Sequence, residues 1–179
     1  MRDDGTRLSS FYAGIRPDDR GRFLRDILRW PDHELESTHD YIQWLFPLAE
    51  RSGFNPEAPI LPEKALREFR SQPELRRNVQ ASFRRMLAFY GMEIQEASAL
   101  TVTRTFFFAD RAENWIKPSN HNHLRITRIL KSLRLLGLEA EAAAFFECLA
   151  NIYRLESAKT TPRISEETFA FWQAAAARD

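Results

Sequence analysis

Apolar residues along this chain recur at the i, i+3, i+4 spacing of a helix face and almost never alternate as they do in a half-buried strand. The clearest run ends at Gly91 and consists of Leu75, Val79, Phe83, Met86, Leu87 and Tyr90. Glycine and proline separate this run from its neighbours, as expected for helix boundaries. We therefore predict an all-α fold, a single irregular multi-helix domain covering residues 1–179.

The same pattern predicts the individual helices. A capping-box pattern at Ser71 and Glu74 starts the helix that ends at Gly91. Residues 97–103 read as a strand or a loop. Gly137 suits a left-handed position between two helices, which predicts an αα-hairpin near residues 120–154. The other predicted helices run from Asp18 or Asp19 to Trp30, from Thr38 to Pro47, from Glu63 to Arg70, from Phe106 to Trp115, from Ser119 or Asn120 to Leu136, from Glu139 to Arg154, and onward from Ser165.

Several function classes are excluded by composition. The six glycines are isolated, so no dinucleotide fingerprint, P-loop or nucleophile elbow is present. Cys148 is the single cysteine and has apolar neighbours, which is typical of a buried thiol in a reducing compartment. No signal-peptide pattern and no apolar run long enough for a membrane span occurs, so we expect a cytoplasmic protein without a transmembrane segment.

Charge is balanced overall but unevenly distributed. The chain has 26 Lys and Arg against 25 Asp and Glu, whereas residues 64–85 and 104–134 each hold seven basic and two acidic residues. Residues 32–57 hold six acidic residues and one basic residue. One interpretation is intramolecular pairing of the acidic stretch with a basic helix. The alternative is a basic surface that binds nucleic acid through Arg70, Arg76, Arg77, Arg84 and Arg85.

Two stretches carry a resemblance to a known family. The first segment, His39–Pro47, reads HDYIQWLFP, and the second segment, Asn120–Leu133, reads NHNHLRITRILKSL. Both resemble signature stretches of the opioid growth factor receptor family, and weaker similarity makes about residues 8–176 the core of the domain. The resemblance implies a helical receptor-type domain, which in animal members binds the enkephalin pentapeptide, acts in growth control and is nuclear or membrane-associated. The family is unrelated to seven-helix opioid receptors.

In the first segment, helical spacing places His39 and Gln43 on one face, with Asp40 and Trp44 beside them. An aromatic ring, an amide and a carboxylate together suit the ammonium end and an aromatic side chain of a peptide. The alternative is structural, with Trp44 in the core and His39 satisfying backbone groups where the helix begins.

In the second segment, the face opposite the apolar stripe carries His121, Leu124, Arg125 and Arg128. This helix is therefore either buried on two sides or presents a basic face with apolar spots. Its N-terminal end suits a carboxylate or phosphate. The alternative is internal pairing of Arg125 or Arg128 with acids such as Asp40.

We predict a non-enzymatic binding module whose groove lies between the first segment and the start of the second. It would receive a short peptide or protein segment, with the anionic end of the peptide at Arg125 and Arg128. The histidines do not have convincing metal-ligand spacing, no nucleophile completes a catalytic constellation, and we expect no metal and no cofactor. A nucleic-acid-binding domain and a structural or oligomerising domain without a ligand are the alternatives.

Overall fold

A computed structural model of the chain describes residues 4–53 and 55–177. Within these ranges the chain forms ten helices and one antiparallel two-stranded hairpin, so the predominantly helical prediction is confirmed. In chain order the elements are α1 (Asp4–Tyr12), α2 (Leu24–Ile27), α3 (Asp32–Ser37), α4 (Ile42–Leu45), α5 (Glu63–Ser71), α6 (Pro73–Tyr90), β1 (Met92–Glu96), β2 (Leu100–Arg104), α7 (Phe108–Trp115), α8 (His121–Leu135), α9 (Glu139–Ser157) and α10 (Glu166–Ala176).

Contacts between residues divide the chain into two compact units. The first unit holds the described residues up to Arg85 together with Leu135–Gly137. The second unit holds Met86–Arg134 and the described residues from Leu138 onward. Each unit has its own aromatic core.

The core of the first unit is built around Tyr12. Its ring meets that of Phe69 edge-to-face at 4.9 Å between centroids, and its hydroxyl donates to the carbonyl of Leu45. Arg85 joins α6 to the chain around Trp30 and Asp32. One of its guanidinium nitrogens donates at 2.7 Å to both the Trp30 carbonyl and the Asp32 carboxylate. The predicted pairing of the acidic stretch with a basic helix is therefore present at Asp32.

The core of the second unit contains two fully buried tryptophans. The Trp115 indole donates to the Tyr90 carbonyl at 3.2 Å, and Trp172 lies 6.5 Å away from Trp115 between ring centroids. Gly91 allows the close approach of α7, because a Cβ at this position would lie 2.8 Å from the Phe108 Cα. Helices α8 and α9 form where predicted, joined through Gly137 at φ 83°.

Three predicted helix starts are wrong. The helix predicted from Thr38 begins only at Ile42, as α4, so His39 and Asp40 precede it and His39 does not share a helical face with Gln43. The helix predicted from Asp18 or Asp19 is reduced to α2, because Gly21 has a φ of 79° and the Asp18 carboxylate instead accepts from the backbone of Arg20 and Arg22 in a turn. Ser71 does not cap α6, since it lies in the last turn of α5 and its hydroxyl donates back to the Arg67 carbonyl at 2.8 Å.

Candidate functional site

Trp44 of the first segment is a buried aromatic residue of the first unit. It is 2% exposed, its ring lies 5.2 Å from that of Phe11, and the Arg7 guanidinium lies over it at 5.2 Å. The one-turn helix α4 holds Trp44 in place, with the buried Ile42 and Leu45 in the same turn. These contacts agree with the structural interpretation of this residue.

Asp40 precedes α4 and is neutralised within the first unit. Its carboxylate accepts from Arg22 at 2.7 Å and from Arg20 at 3.2 Å. Partial burial opposes ionisation of Asp40, but the hydrogen bonds and positive charges of Arg22 and Arg20 outweigh it, so the pKa of this carboxyl lies below its ordinary value. Asp40 is therefore ionised at neutral pH and already holds two cations.

A small polar hollow of about 370 Å³ lies beside Asp40. It is lined by Asp19, Arg20, Arg22, Asp40, Trp44, Asn55 and Glu57. His39 is exposed and Gln43 is 5% exposed, and neither lines this hollow. The Gln43 Oε1 atom has no hydrogen-bond partner among the described residues. The first segment thus places Asp40 and Trp44, but not His39 and Gln43, on this hollow.

The second segment begins at a well-formed helix cap. Asn120 is the residue before α8; its Oδ1 accepts from the Asn122 backbone at 2.9 Å and its carbonyl accepts from the His123 backbone at 3.0 Å. Asn120 also donates from its amide to the Asn114 carbonyl at 3.0 Å. The predicted helix start at Asn120 is confirmed, and two backbone donors at the start of α8 are already satisfied.

His123 anchors α8 in the core of the second unit. Its Nε2 lies 2.9 Å from the Trp115 carbonyl, and its ring meets that of Trp172 edge-to-face at 5.6 Å. Burial lowers the pKa of His123, and His121 nearby also disfavours its charged form, while the bond to the Trp115 carbonyl opposes both. A neutral imidazole with its proton on Nε2 donates to that carbonyl.

A larger hollow of about 640 Å³ opens beside the start of α8; we call it the α8–α10 hollow. Leu124 and Phe171 line it and are 52% and 53% exposed. The half-buried His121 lines it too. Its remaining lining residues are Pro118, Ser119, Asn120, His123, Thr127, Tyr153, Ser157, Pro162, Arg163, Ile164, Ser165, Glu166, Glu167 and Thr168.

The polar wall of the α8–α10 hollow is formed by the start of α10. The Ser165 hydroxyl accepts from the Thr168 backbone at 3.1 Å, which confirms the predicted N-cap. Glu166 and Glu167 follow and are exposed. The cation in the lining, Arg163, donates to Glu113 at 3.0 Å and to Glu156 at 3.2 Å. The exposed charge on this wall is therefore negative.

Arg125 and Arg128 do not line the α8–α10 hollow. Arg125 is 5% exposed and donates to the Asn122 side chain at 3.1 Å, and Arg128 is half-buried. Because Asn122 and His123 are buried as well, α8 is buried on two sides and presents Leu124 outward. A role for Arg125 and Arg128 in binding an anionic ligand stays a prediction.

The predicted site residues therefore fall into two groups. His39, Asp40, Gln43 and Trp44 belong to the first unit, and His121, Leu124, Arg125 and Arg128 belong to the second unit. The groove predicted between the two segments stays a prediction. Sequence reasoning missed Tyr153, Glu166, Glu167 and Phe171 as lining residues. A signal existed in the sequence, because Phe169, Trp172 and Ala176 share one helical face and Phe171 lies off that face.

The basic residues considered for nucleic-acid binding are partly engaged inside the first unit. Arg85 pairs with Asp32, and Arg70 donates to the Leu135 carbonyl at 2.9 Å. In the part of the chain that the structure describes, no three His, Cys, Asp or Glu side chains are placed to hold a metal ion. Among the same residues, no helix combines the length and apolar character that crossing a membrane requires.

Comparison with known proteins identifies a family and several relatives. The family model described as "Opioid growth factor receptor (OGFr) conserved region" matches residues 8–177. Human opioid growth factor receptor is 41% identical over 139 residues, which are 76% of this chain and 20% of the relative. Opioid growth factor receptor-like protein 1 is 34% identical over 161 residues in Rattus norvegicus and 36% identical over 163 residues in Xenopus tropicalis.

The match covers most of this chain but a minor part of each relative. The two receptor-like proteins are matched over 88% of this chain and over 33% and 30% of their own lengths. No solved structure matches the chain.

Proposed function

The chain belongs to the opioid growth factor receptor family, and from that premise we propose that it binds a short peptide or protein segment in the α8–α10 hollow without catalysing a reaction. The relatives are named as receptors, which supports ligand binding as the function. The two segments that carry the family resemblance were predicted to contribute the site, and two of the site residues predicted in the second segment, His121 and Leu124, line this hollow.

The observation that carries the proposal is the exposure of Leu124 and Phe171 in the lining of one hollow. Each leaves about half of its surface in water, at 52% and 53%. Tyr153 adds an aromatic wall, since its ring is stacked on that of Phe169 with 4.1 Å between the ring centroids. Apolar side chains around a concave space, with a few polar groups at the rim, are typical of a ligand site.

The charge of the rim favours one orientation of the peptide. Glu166 and Glu167 are exposed at the start of α10, and Arg163 is occupied by Glu156 and Glu113. A peptide ammonium group is attracted to the two exposed carboxylates, while the neighbouring aromatic side chain is buried against Leu124 and Phe171. A peptide that begins with an aromatic residue satisfies both requirements at once.

The test is calorimetric titration with the enkephalin-like pentapeptide Tyr-Gly-Gly-Phe-Leu. We expect binding that Phe171→Ala weakens by about tenfold, because the ring loses buried apolar contact. Phe106→Ala is the matched control, since Phe106 is 95% exposed and does not line the hollow. Acetylation of the peptide amine tests the role of Glu166 and Glu167. Absence of binding, or equal loss in both phenylalanine variants, refutes the proposal.

The groove predicted between the two segments adds an independent test at the other end of the peptide. If Arg128 meets the peptide carboxylate, Arg128→Gln weakens binding of the free acid and leaves the binding of the C-terminal amide unchanged. If both forms of the peptide bind the variant as they bind the parent chain, the anionic end does not lie at Arg128.

A further inference from the structure

The turn between β2 and α7 presents two phenylalanine rings to solvent. Phe106 is 95% exposed and Phe107 is 61% exposed, and their rings meet edge-to-face with 5.4 Å between centroids. Among the described residues no other large apolar side chain is as exposed as Phe106. Adjacent exposed aromatic side chains on a folded domain mark a surface that binds another molecule. We call residues 104–107 the Phe106 turn.

Hydrogen bonds hold the backbone of the Phe106 turn in place. The backbone N–H and the hydroxyl of Thr105 both donate to the Gly91 carbonyl, at 2.9 Å and 3.0 Å. The Phe108 backbone donates back to the Thr105 carbonyl at 3.1 Å, just where α7 begins. The two rings therefore project from a defined position. Their binding does not require a flexible loop to be ordered first, which lowers the entropic cost of association.

The charge at the Phe106 turn is positive. Arg104 is exposed, and its guanidinium lies 5.4 Å from the centroid of the Phe108 ring. In the described part of the chain Arg104 makes no ion pair. The next charged residues along the chain are Asp110 and Arg111, so the turn and the residues after it carry one net positive charge. The turn therefore favours a partner surface that combines an apolar hollow with carboxylates.

The α8–α10 hollow has these complementary features. Leu124 and Phe171 give it an exposed apolar lining, and the exposed Glu166 and Glu167 give it a negative wall. Its volume of about 640 Å³ is typical of a site for a ligand larger than a single aromatic ring. No residue of the Phe106 turn lines the hollow, so a chain does not fill its own hollow with this turn. The net charge of +1 leaves little repulsion between two copies.

We propose that the Phe106 turn of one chain inserts into the α8–α10 hollow of a second copy of the chain. The Phe106 ring is then buried against Leu124 and Phe171 of the second copy, while Arg104 approaches the acidic wall of the hollow. The inference rests on the proposed function, because it uses the same hollow, and it names the segment that the hollow receives. The contact joins two different surfaces, so association continues beyond a dimer unless the chains close into a ring.

Analytical ultracentrifugation of the whole chain over a range of concentrations tests the proposal. We expect the average mass to rise with concentration. Phe106→Ala and Phe171→Ala should each raise the dissociation constant by about tenfold, because each removes one side of the apolar contact. Ile15→Ala is the matched control, since Ile15 is 71% exposed, belongs to the first unit and takes no part in the proposed contact. Arg104→Glu should weaken association as well, because it places a carboxylate against the acidic wall.

A mixture of the two phenylalanine variants distinguishes this contact from a symmetric one. Phe106→Ala keeps an intact hollow and Phe171→Ala keeps an intact turn, so the mixture should form a one-to-one dimer at concentrations where each variant alone is monomeric. A mixture that does not associate overturns the proposal. A parent chain that stays monomeric at every concentration overturns it too, and so does self-association that Phe171→Ala leaves unchanged.

The pentapeptide Tyr-Gly-Gly-Phe-Leu separates this inference from the proposed function. Phe106→Ala should bind the pentapeptide as the monomeric parent chain does, and an excess of pentapeptide should dissociate the assembled parent chain, because both compete for one hollow. Peptide binding to a parent chain that stays monomeric overturns the inference and leaves the proposed function intact. Self-association that both phenylalanine variants weaken, without any peptide binding, supports the inference and refutes the binding of a free pentapeptide.

Discussion

The two segments that carry the family resemblance each contribute to a hollow, but their exposure differs. In the first unit, Trp44 is 2% exposed under the Arg7 guanidinium, and Asp40 holds Arg20 and Arg22. In the second unit, Leu124 is 52% exposed beside the equally exposed Phe171. The aromatic and charged groups of the first segment are used within the fold, whereas the apolar side chains of Leu124 and Phe171 remain exposed.

This difference shows that resemblance in sequence does not separate residues that build a fold from residues that bind. Both segments contain aromatic or aliphatic residues next to charged ones, and both suggested a site. The discriminating quantity is the surface that each side chain leaves exposed after its unit has folded. The predictions below test whether the first segment stabilises the fold while the second provides a surface.

Replacing the tryptophan of the first segment is expected to have the largest effect. Trp44→Ala removes a buried ring in contact with Phe11 and Arg7, so the free energy of unfolding falls by about 3–5 kcal/mol. Leu124→Ala is the control from the second segment. It changes the free energy of unfolding by less than about 0.5 kcal/mol, since the Leu124 side chain is half exposed. Urea denaturation measures both. Similar losses in the two variants would abolish the distinction between the segments.

The ion pairs of Asp40 are expected to make a smaller, pH-dependent contribution to the free energy of unfolding. Asp40→Asn lowers the free energy of unfolding by about 1 kcal/mol at pH 7, because both pairs are partly exposed and screened by solvent. The pKa of Asp40 is lower in the folded chain than in the unfolded chain. Its contribution is therefore complete above about pH 4 and disappears as the pH falls through the folded pKa.

Urea denaturation of Asp40→Asn and the parent chain at several pH values checks this dependence. The difference in the free energy of unfolding between Asp40→Asn and the parent chain should become smaller in acid and at high salt. Glu147→Gln is the control, because Glu147 is an exposed carboxylate of α9 that makes no ion pair among the described residues. A difference that stays constant down to pH 2 would exclude the ion pairs as its cause.

The buried side-chain amide of Gln43 is expected to destabilise the folded chain. Its Oε1 atom is buried without a hydrogen-bond partner among the described residues, so Gln43→Met raises the free energy of unfolding by about 0.5 kcal/mol. Thermal and urea unfolding measure the change, with His39→Gln as the exposed control from the same segment. If Gln43→Met instead leaves stability unchanged and abolishes peptide binding, Gln43 belongs to a ligand site after all.

Much of the helical framework could be predicted from spacing alone. The stripe from Leu75 to Tyr90 is buried in α6, and Ser165 caps α10 as predicted. Both are local patterns, in which the residues that determine the element lie within a few turns of each other. The β1–β2 hairpin shows a limit, because its alternation extends over only five residues in each strand and was obscured by the neighbouring helical runs.

The site was harder to predict because it depends on contacts between residues distant in sequence. Arg125 has the spacing of an outward residue, yet it is 5% exposed, since other elements cover that face of α8. Phe171 comes close to Leu124 through the docking of α10, where the Trp172 indole donates to the His123 carbonyl at 3.1 Å. No pattern within either segment predicts this hydrogen bond, which joins α10 to α8.

The smallest expected effect is a difference in acid sensitivity between the two units. Burial lowers the pKa of His123 in the folded chain, so below about pH 6.5 the unfolded chain takes up a proton that the folded chain does not. The stability of the second unit therefore falls slightly from pH 7 to pH 5, while the Asp40 contribution to the first unit is still complete. Amide hydrogen exchange, corrected for its intrinsic pH dependence, should show reduced protection in α8 and α10 but not in α1 and α5. In the variant His123→Gln, the side-chain amide can donate to the Trp115 carbonyl at any pH, so the loss of protection in acid should vanish. An equal loss of protection in both units would show that acid acts on the chain as a whole.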